Sequence, residues 1–191
     1  WSIKRLIRRL VLASAYQMSS QPNDAAAETA APQNKLWHRM PIRRLEAESI
    51  RDAMLVVSGR VDRKMFGPAV LPHLTPFMVG RGRPGQSGPL DGDGRRSIYI
   101  NVRRNFLTPM FLAFDFPVPF ATIGRRSVSN VPAQSLTMLN NPFVQQQAEV
   151  WSRRVIASSP DTDQRVAEEW QRARHAVAAP GQGDPQRHAR T

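Results

Sequence analysis

The sequence predicts a mainly α-helical domain with a short strand or small ribbon near residues 97–102 and long irregular loops. Three observations carry this. Apolar residues recur at helical spacing in several separate stretches. Two residue pairs, Thr108-Pro109 and Asn141-Pro142, have the form of a helix cap followed by a first-turn proline. One hexapeptide, Ser97 to Val102, alternates as a strand does. At 191 residues the chain can bury roughly two-thirds of its unfolded surface, which is enough for a real core.

The first helix is read from Ile3, Leu6, Ile7, Leu10 and Val11, spaced i, i+3, i+4, i+7, i+8. Ser2 suits its N-cap and Trp1 a hydrophobic staple. Arg8 and Arg9 interrupt the apolar run, so no signal peptide is read here. Position 1 is Trp, and a mature or truncated piece of something longer is expected. Residues 19–34 are small and polar and read as a loop. A second helix is expected over 42–58, with Gly59 as its stop. Its outer face would carry Arg44, Glu48 and Arg51 at ion-pair spacing.

Residues 67–94 hold 7 of the 11 Gly and 5 of the 16 Pro, a density that no long regular element survives. In the strand that follows, Ile98, Ile100 and Val102 would share a face. A short helix opens at Thr108-Pro109 and stops before Pro117. The Asn141-Pro142 helix presents Val144, Ala148, Trp151 and Val155, and Ser159-Pro160 breaks it. Val166, Trp170, Ala173 and Val177 mark a last helix, before a tail from Ala179 with disordered composition.

Chemistry is sparse. With no Cys, the chain cannot form a disulfide, a thiolate metal site or a covalent haem link. Gly80-Arg81-Gly82-Arg83-Pro84-Gly85 matches a dinucleotide fingerprint, but Pro84, Gly88 and Pro89 forbid the helix it must open, leaving a basic loop. Asp91-Gly92-Asp93-Gly94 lacks the further acids of a calcium loop and reads as a tight turn. His38, His73, His175 and His188 are scattered and read as surface or loop histidines. Glu46 and Glu48, two apart on a helix, would not face each other and read as ion-pair partners.

Lys+Arg outnumber Asp+Glu by 27 to 15, a net charge of +12, and 24 of the 27 are Arg. Residues 95–126 hold three Arg pairs (Arg95-Arg96, Arg103-Arg104, Arg125-Arg126) against the single acid Asp115, among six aromatics. Such arginines could bind a polyanion, with Arg95, Arg96 and Arg103 in contact. The favoured reading is a packed aromatic core with arginines paired to carboxylates of other segments. Sequence-specific nucleic-acid binding is not expected, because no recognition motif is legible.

Four long motifs keep one order: WSIKRLIRRLVLASAYQMSS, RRLEAESIRDAMLVVSGRVD, GRRSIYINVRRN and FDFPVPFATIGRRSVSNVPAQSLTMLNNPFV. Over residues 1 to about 157 the chain resembles the C-terminal domain of unknown function fifteen-fifty-three of planctomycete-type proteins. An additional helix over 158–178 and a disordered tail over 179–191 would follow. The resemblance implies an exported protein, periplasmic or extracellular. Upstream domains would be partners, and in such proteins they often include a cytochrome c domain, a place for haem outside this chain. No catalytic residue is established for that family, and from the missing Cys and scattered His no cofactor or metal is expected in this chain. By position, its signature residues are Arg44, Glu46, Glu48, Arg51 and Asp52, then Arg96, Ser97 and Tyr99. Asp115, Pro117, Arg126, Pro132, Gln134, Leu139 and Asn140 complete them.

Three functions are carried forward. The first is a non-catalytic module that binds a partner domain or an acidic polysaccharide. The second is part of an enzyme domain whose site is completed upstream. The third is non-specific nucleic-acid binding. Convergence of Arg96, Tyr99, Asp115 and Arg126 on an open cleft would favour the enzyme, and mutual pairing would favour the module.

Overall fold

The computed structural model describes residues 2–22, 24–120 and 122–177. Among them seven α-helices are joined by long loops: α1 (Ile3–Val11), α2 (Ala25–Ala30), α3 (Ala47–Ser58), α4 (Pro109–Ala113), α5 (Pro132–Asn140), α6 (Pro142–Ser158) and α7 (Thr162–Val177). The expected disordered tail lies outside the described residues. The chain divides into two compact units, one within Trp1–Arg44 and one over Leu45–Ala176.

In the first unit Ser2 caps α1, its side chain accepting the Arg5 N–H at 3.4 Å. α2 interrupts the expected loop. Asp24 caps it by accepting the Ala26 and Ala27 N–H groups at 2.8 and 3.2 Å. Glu28 on α2 takes the Arg39 Nε–H at 3.0 Å and lies 2.7 Å from His38 Nε2. Hydrogen bonds from Arg39 and then His38 hold its carboxyl down to about 2.

In the second unit Ala47 and Leu55 of α3, Met110 and Phe111 of α4, Phe114 and Phe143 form the core. α3 packs against both α4 and α6, and α5 bridges those two helices. Removing these side chains from water is the main stabilising term, about 1.5–3 kcal/mol for each large one. Gly59 ends α3 at φ 78°, its N–H returning to the Leu55 and Val56 carbonyls. Asn141 caps α6 by accepting the Phe143 N–H at 2.9 Å.

Several local expectations need correction. α3 begins at Ala47, not Ile42, because Glu46 is extended, at φ −72° and ψ 156°. Ile42 is accordingly 83% exposed. The 97–102 ribbon contracts to a 3₁₀ turn at Ser97–Tyr99 and a single bridge between Val70 and Ile100. Ser97 is held by α3 rather than by a neighbouring strand, and Ile98 is left exposed. α6 turns Phe143 and Gln147 inward instead of Ala148. On α7 Val166 and Trp170 face out, while Glu169 is buried and accepts the Trp151 indole N–H at 2.8 Å.

The Gly/Pro-rich segment is irregular, as expected, yet its ends are fastened. The Asp62 N–H reaches the Gly94 carbonyl at 2.8 Å, and the Val70 N–H reaches that of Tyr99 at 2.8 Å. Further out, the Gly88 N–H bonds the Pro72 carbonyl at 3.0 Å and the Leu74 N–H bonds Ser87 Oγ at 2.9 Å. Asp91 makes the DGDG sequence a turn by accepting the Asp93 N–H at 3.1 Å and the Arg60 guanidinium at 2.6 Å.

Candidate functional site

An open cleft of about 420 Å³ lies beside the N-terminal half of α3. One wall carries Glu46, Glu48 and Asp52; Ile98, Val102, Phe106 and Phe116 are among the apolar residues opposite, and Arg126 reaches in from the loop before α5. The cleft therefore sets three carboxylates against one guanidinium, an acidic concavity on a chain of net charge +12.

Arg126 grips Glu48 with two parallel bonds, Nη1 to Oε2 at 2.8 Å and Nη2 to Oε1 at 2.9 Å. The same Nη1 donates to Glu46 Oε2 at 2.9 Å. Fork geometry of this kind adds orientation as well as strength. Glu46 and Glu48 thus meet at one cation, because Glu46 stands outside the helix instead of along its face. Glu48 is paired with Arg126, while the Arg51 guanidinium bonds Asp52, Ser97 and the Arg95 and Asp91 carbonyls. Burial pushes the Glu48 carboxyl up, but the Arg126 bonds and the backbone outweigh it, and the group sits below its ordinary value of 4.5. It is a fixed anion at neutral pH.

Asp52 anchors the opposite end. Its Oδ1 accepts both the Ser97 N–H and the Ser97 hydroxyl at 2.7 Å. Arg51, one residue away, is buried rather than on an outer face. Its Nη1 donates to the Arg95 carbonyl at 2.9 Å and to Ser97 Oγ at 3.1 Å, and its Nη2 donates to the Asp91 carbonyl. Burial lowers its proton affinity while Asp52 and Asp91 oppose that. Arg95 is buried too, donating to the Lys64 and Phe66 carbonyls at 2.9 and 2.6 Å with its guanidinium 4.0 Å from the Tyr99 ring centre. It is therefore turned into the fold, 3.7 Å from the Asp62 carboxylate, rather than toward a polyanion.

The remaining signature residues lie outside the lining of this cleft. The Tyr99 hydroxyl accepts the Phe66 N–H at 2.9 Å; that bond, with Arg96 and Arg95 alongside, draws its phenol below the ordinary 10. Asp115, at φ 61°, accepts the Ser129 N–H and hydroxyl, each at 2.8 Å. Gln134 is buried and donates to the Ser129 carbonyl at 3.2 Å. Asn140 is exposed at the end of α5, and Arg44 is half-buried at the end of the first unit. Among the described residues, no three His, Asp or Glu side chains are grouped to hold a metal ion. No helix among them is long and apolar enough to cross a membrane.

A family model described as a protein of unknown function (DUF1553) matches residues 1–182. The chain belongs to that family. No curated protein and no solved structure matches it. In this DUF1553 domain, the sequence singled out Glu48, Asp52 and Arg126 but gave no sign that Arg95, Asp91 and Ser129 fasten the chain around them, Arg95 to the Lys64 and Phe66 carbonyls, Asp91 to Arg60 and Ser129 to Asp115. The only available signal for Arg95 was its place before Arg96.

The Arg126–Glu48 pair is partly open to water, with Arg126 35% and Glu48 24% exposed. Glu48→Ala should therefore cost about 1–2 kcal/mol, between the exposed and buried limits. Because the native carboxyl lies below its ordinary value, this contribution is complete above pH 4.5 and is lost as pH falls through the native value. Thermal melts should show the gap between wild type and variant at pH 7 closing on acidification.

Proposed function

We propose that this domain is a non-catalytic docking module of a larger exported bacterial protein, periplasmic or extracellular. Its cleft would receive a segment of an adjoining domain that presents an apolar side chain beside a cation. The observation that supports this reading is the fate of the signature charges. Glu48 and Arg126 are committed to each other, and Asp52 is committed to Ser97. What the cleft offers a partner is a fixed negative rim and apolar walls, including Ile98 at 79% exposure. Apolar contact supplies affinity in such a site, and charge complementarity supplies orientation.

The experiment is association between this chain and the polypeptide preceding it in the full-length protein, produced separately. Binding is expected, with Ile98→Asp weakening it at least about tenfold. Because Ile98 is exposed, the same change should leave stability within about 0.5 kcal/mol. Absence of association, or equal association of the variant, would overturn the reading. A second reading, weak binding of acidic polysaccharide, is favoured by the exposure of Arg103, Arg104 and Arg125 on the loops. Such binding would fade with salt.

A further inference from the structure

α1 has an apolar stripe that no other described residue of its own unit covers. Ile3, Leu6, Ile7 and Leu10 are 76, 58, 52 and 56% exposed. At 100° per residue they fall within an arc of about 100°. Lys4, Arg5, Arg8 and Arg9 fall on the opposite side. Residues 2–22 contain no acid, and residues 1–44 carry eight cations against two carboxylates, a net charge of +6.

We propose that α1 is an in-plane anchor for the surface of an anionic lipid bilayer. The nine residues make a helix about 14 Å long, too short to cross a hydrocarbon core of about 30 Å. Lying in the interface, it sinks the stripe into the acyl boundary while the cations reach phosphate headgroups. Charge complementarity selects this occupant. A protein groove gripping the stripe would meet only its apolar side and leave the four cations pointing away. A headgroup layer surrounds the helix, so both faces are used. A second copy would bring two segments of charge +6 together, against Coulomb repulsion. Leu12 and Tyr16, next along the chain, are 59 and 41% exposed and extend the apolar surface. The inference is independent of the cleft, which lies in the other unit.

The test is flotation of the full chain with phosphatidylcholine vesicles, with and without phosphatidylglycerol. Flotation is expected only with the anionic vesicles. Arg8→Gln/Arg9→Gln should weaken it about 25-fold, roughly fivefold for each cation. Leu6→Gln/Ile7→Gln/Leu10→Gln, which keeps every charge, should weaken it at least about a hundredfold. Melting curves check that each variant folds. Should the triple variant not fold, Leu6→Gln alone, which also keeps every charge, decides in its place, with a loss of at least about tenfold expected. Failure of the wild type to float, equal flotation with uncharged vesicles, or an undiminished triple variant would each overturn the proposal. The last of these would reduce the effect to attraction by net charge. Sedimentation showing self-association without flotation would assign the stripe to a second copy instead.

Discussion

Arg51→Met is expected to lower stability by about 3–5 kcal/mol, a fall in Tm of roughly 10–20 °C. Arg51 is only 4% exposed, and its guanidinium satisfies the Arg95 and Asp91 carbonyls and Ser97 Oγ together. Removing it strands those acceptors away from water and leaves Asp52 without its adjacent cation. The guanidinium also sits 5.3 Å from the centre of the Phe143 ring, so core packing suffers as well. Arg51→Lys should rescue little. An ammonium is a point charge and cannot reach two separate carbonyls as a planar fork does. Denaturant melts of the three proteins check this, and a lysine variant as stable as wild type would refute the geometric part of the argument.

Gly94→Ala should be comparably severe, about 3–5 kcal/mol, combining left-handed backbone strain with overpacking. Gly94 has φ 70°, and a Cβ there would lie 2.1 Å from the Arg60 carbonyl oxygen. That neighbour is backbone, so it can yield only by moving the strand of chain that carries the Asp62 N–H to Gly94 bond. Gly85→Ala is the control. A Cβ at Gly85 meets nothing within 4 Å and the φ is unexceptional, so the change should be neutral or stabilising by about 0.4–1 kcal/mol. A melt in which the two alanines behave alike would contradict the structure of this loop.

The helices α1, α3, α4, α6 and α7 were legible because local chemistry specifies them: Ser2 and Asn141 as caps, Pro109 and Pro142 in first turns, Gly59 as a stop. α2 and α5 were missed although each had a signal, Asp24 before three alanines and Pro132 after an extended Val131. The ribbon misled because alternation at Ile98, Ile100 and Val102 predicts a strand only if something pairs with it. Here Asp52, 45 positions earlier, captures Ser97 first. The cleft was half legible. Glu48, Asp52 and Arg126 stood out as residues, but their partners are set by packing across 45 to 80 positions, and local spacing says nothing about that distance.

The fastenings on either side of the Gly/Pro-rich segment make residues 75–86 a loop hung from a closed neck, where Leu74 meets Ser87 and Pro72 meets Gly88. Chain length inside such a neck is nearly uncoupled from the rest of the unit, since doubling a loop costs only about 0.6 kcal/mol. A protease that cut between Pro76 and Gln86 would leave both fragments held by the Arg51, Arg95 and Asp52 contacts. The same place would accept inserted sequence, even a small folded domain, without disturbing the core.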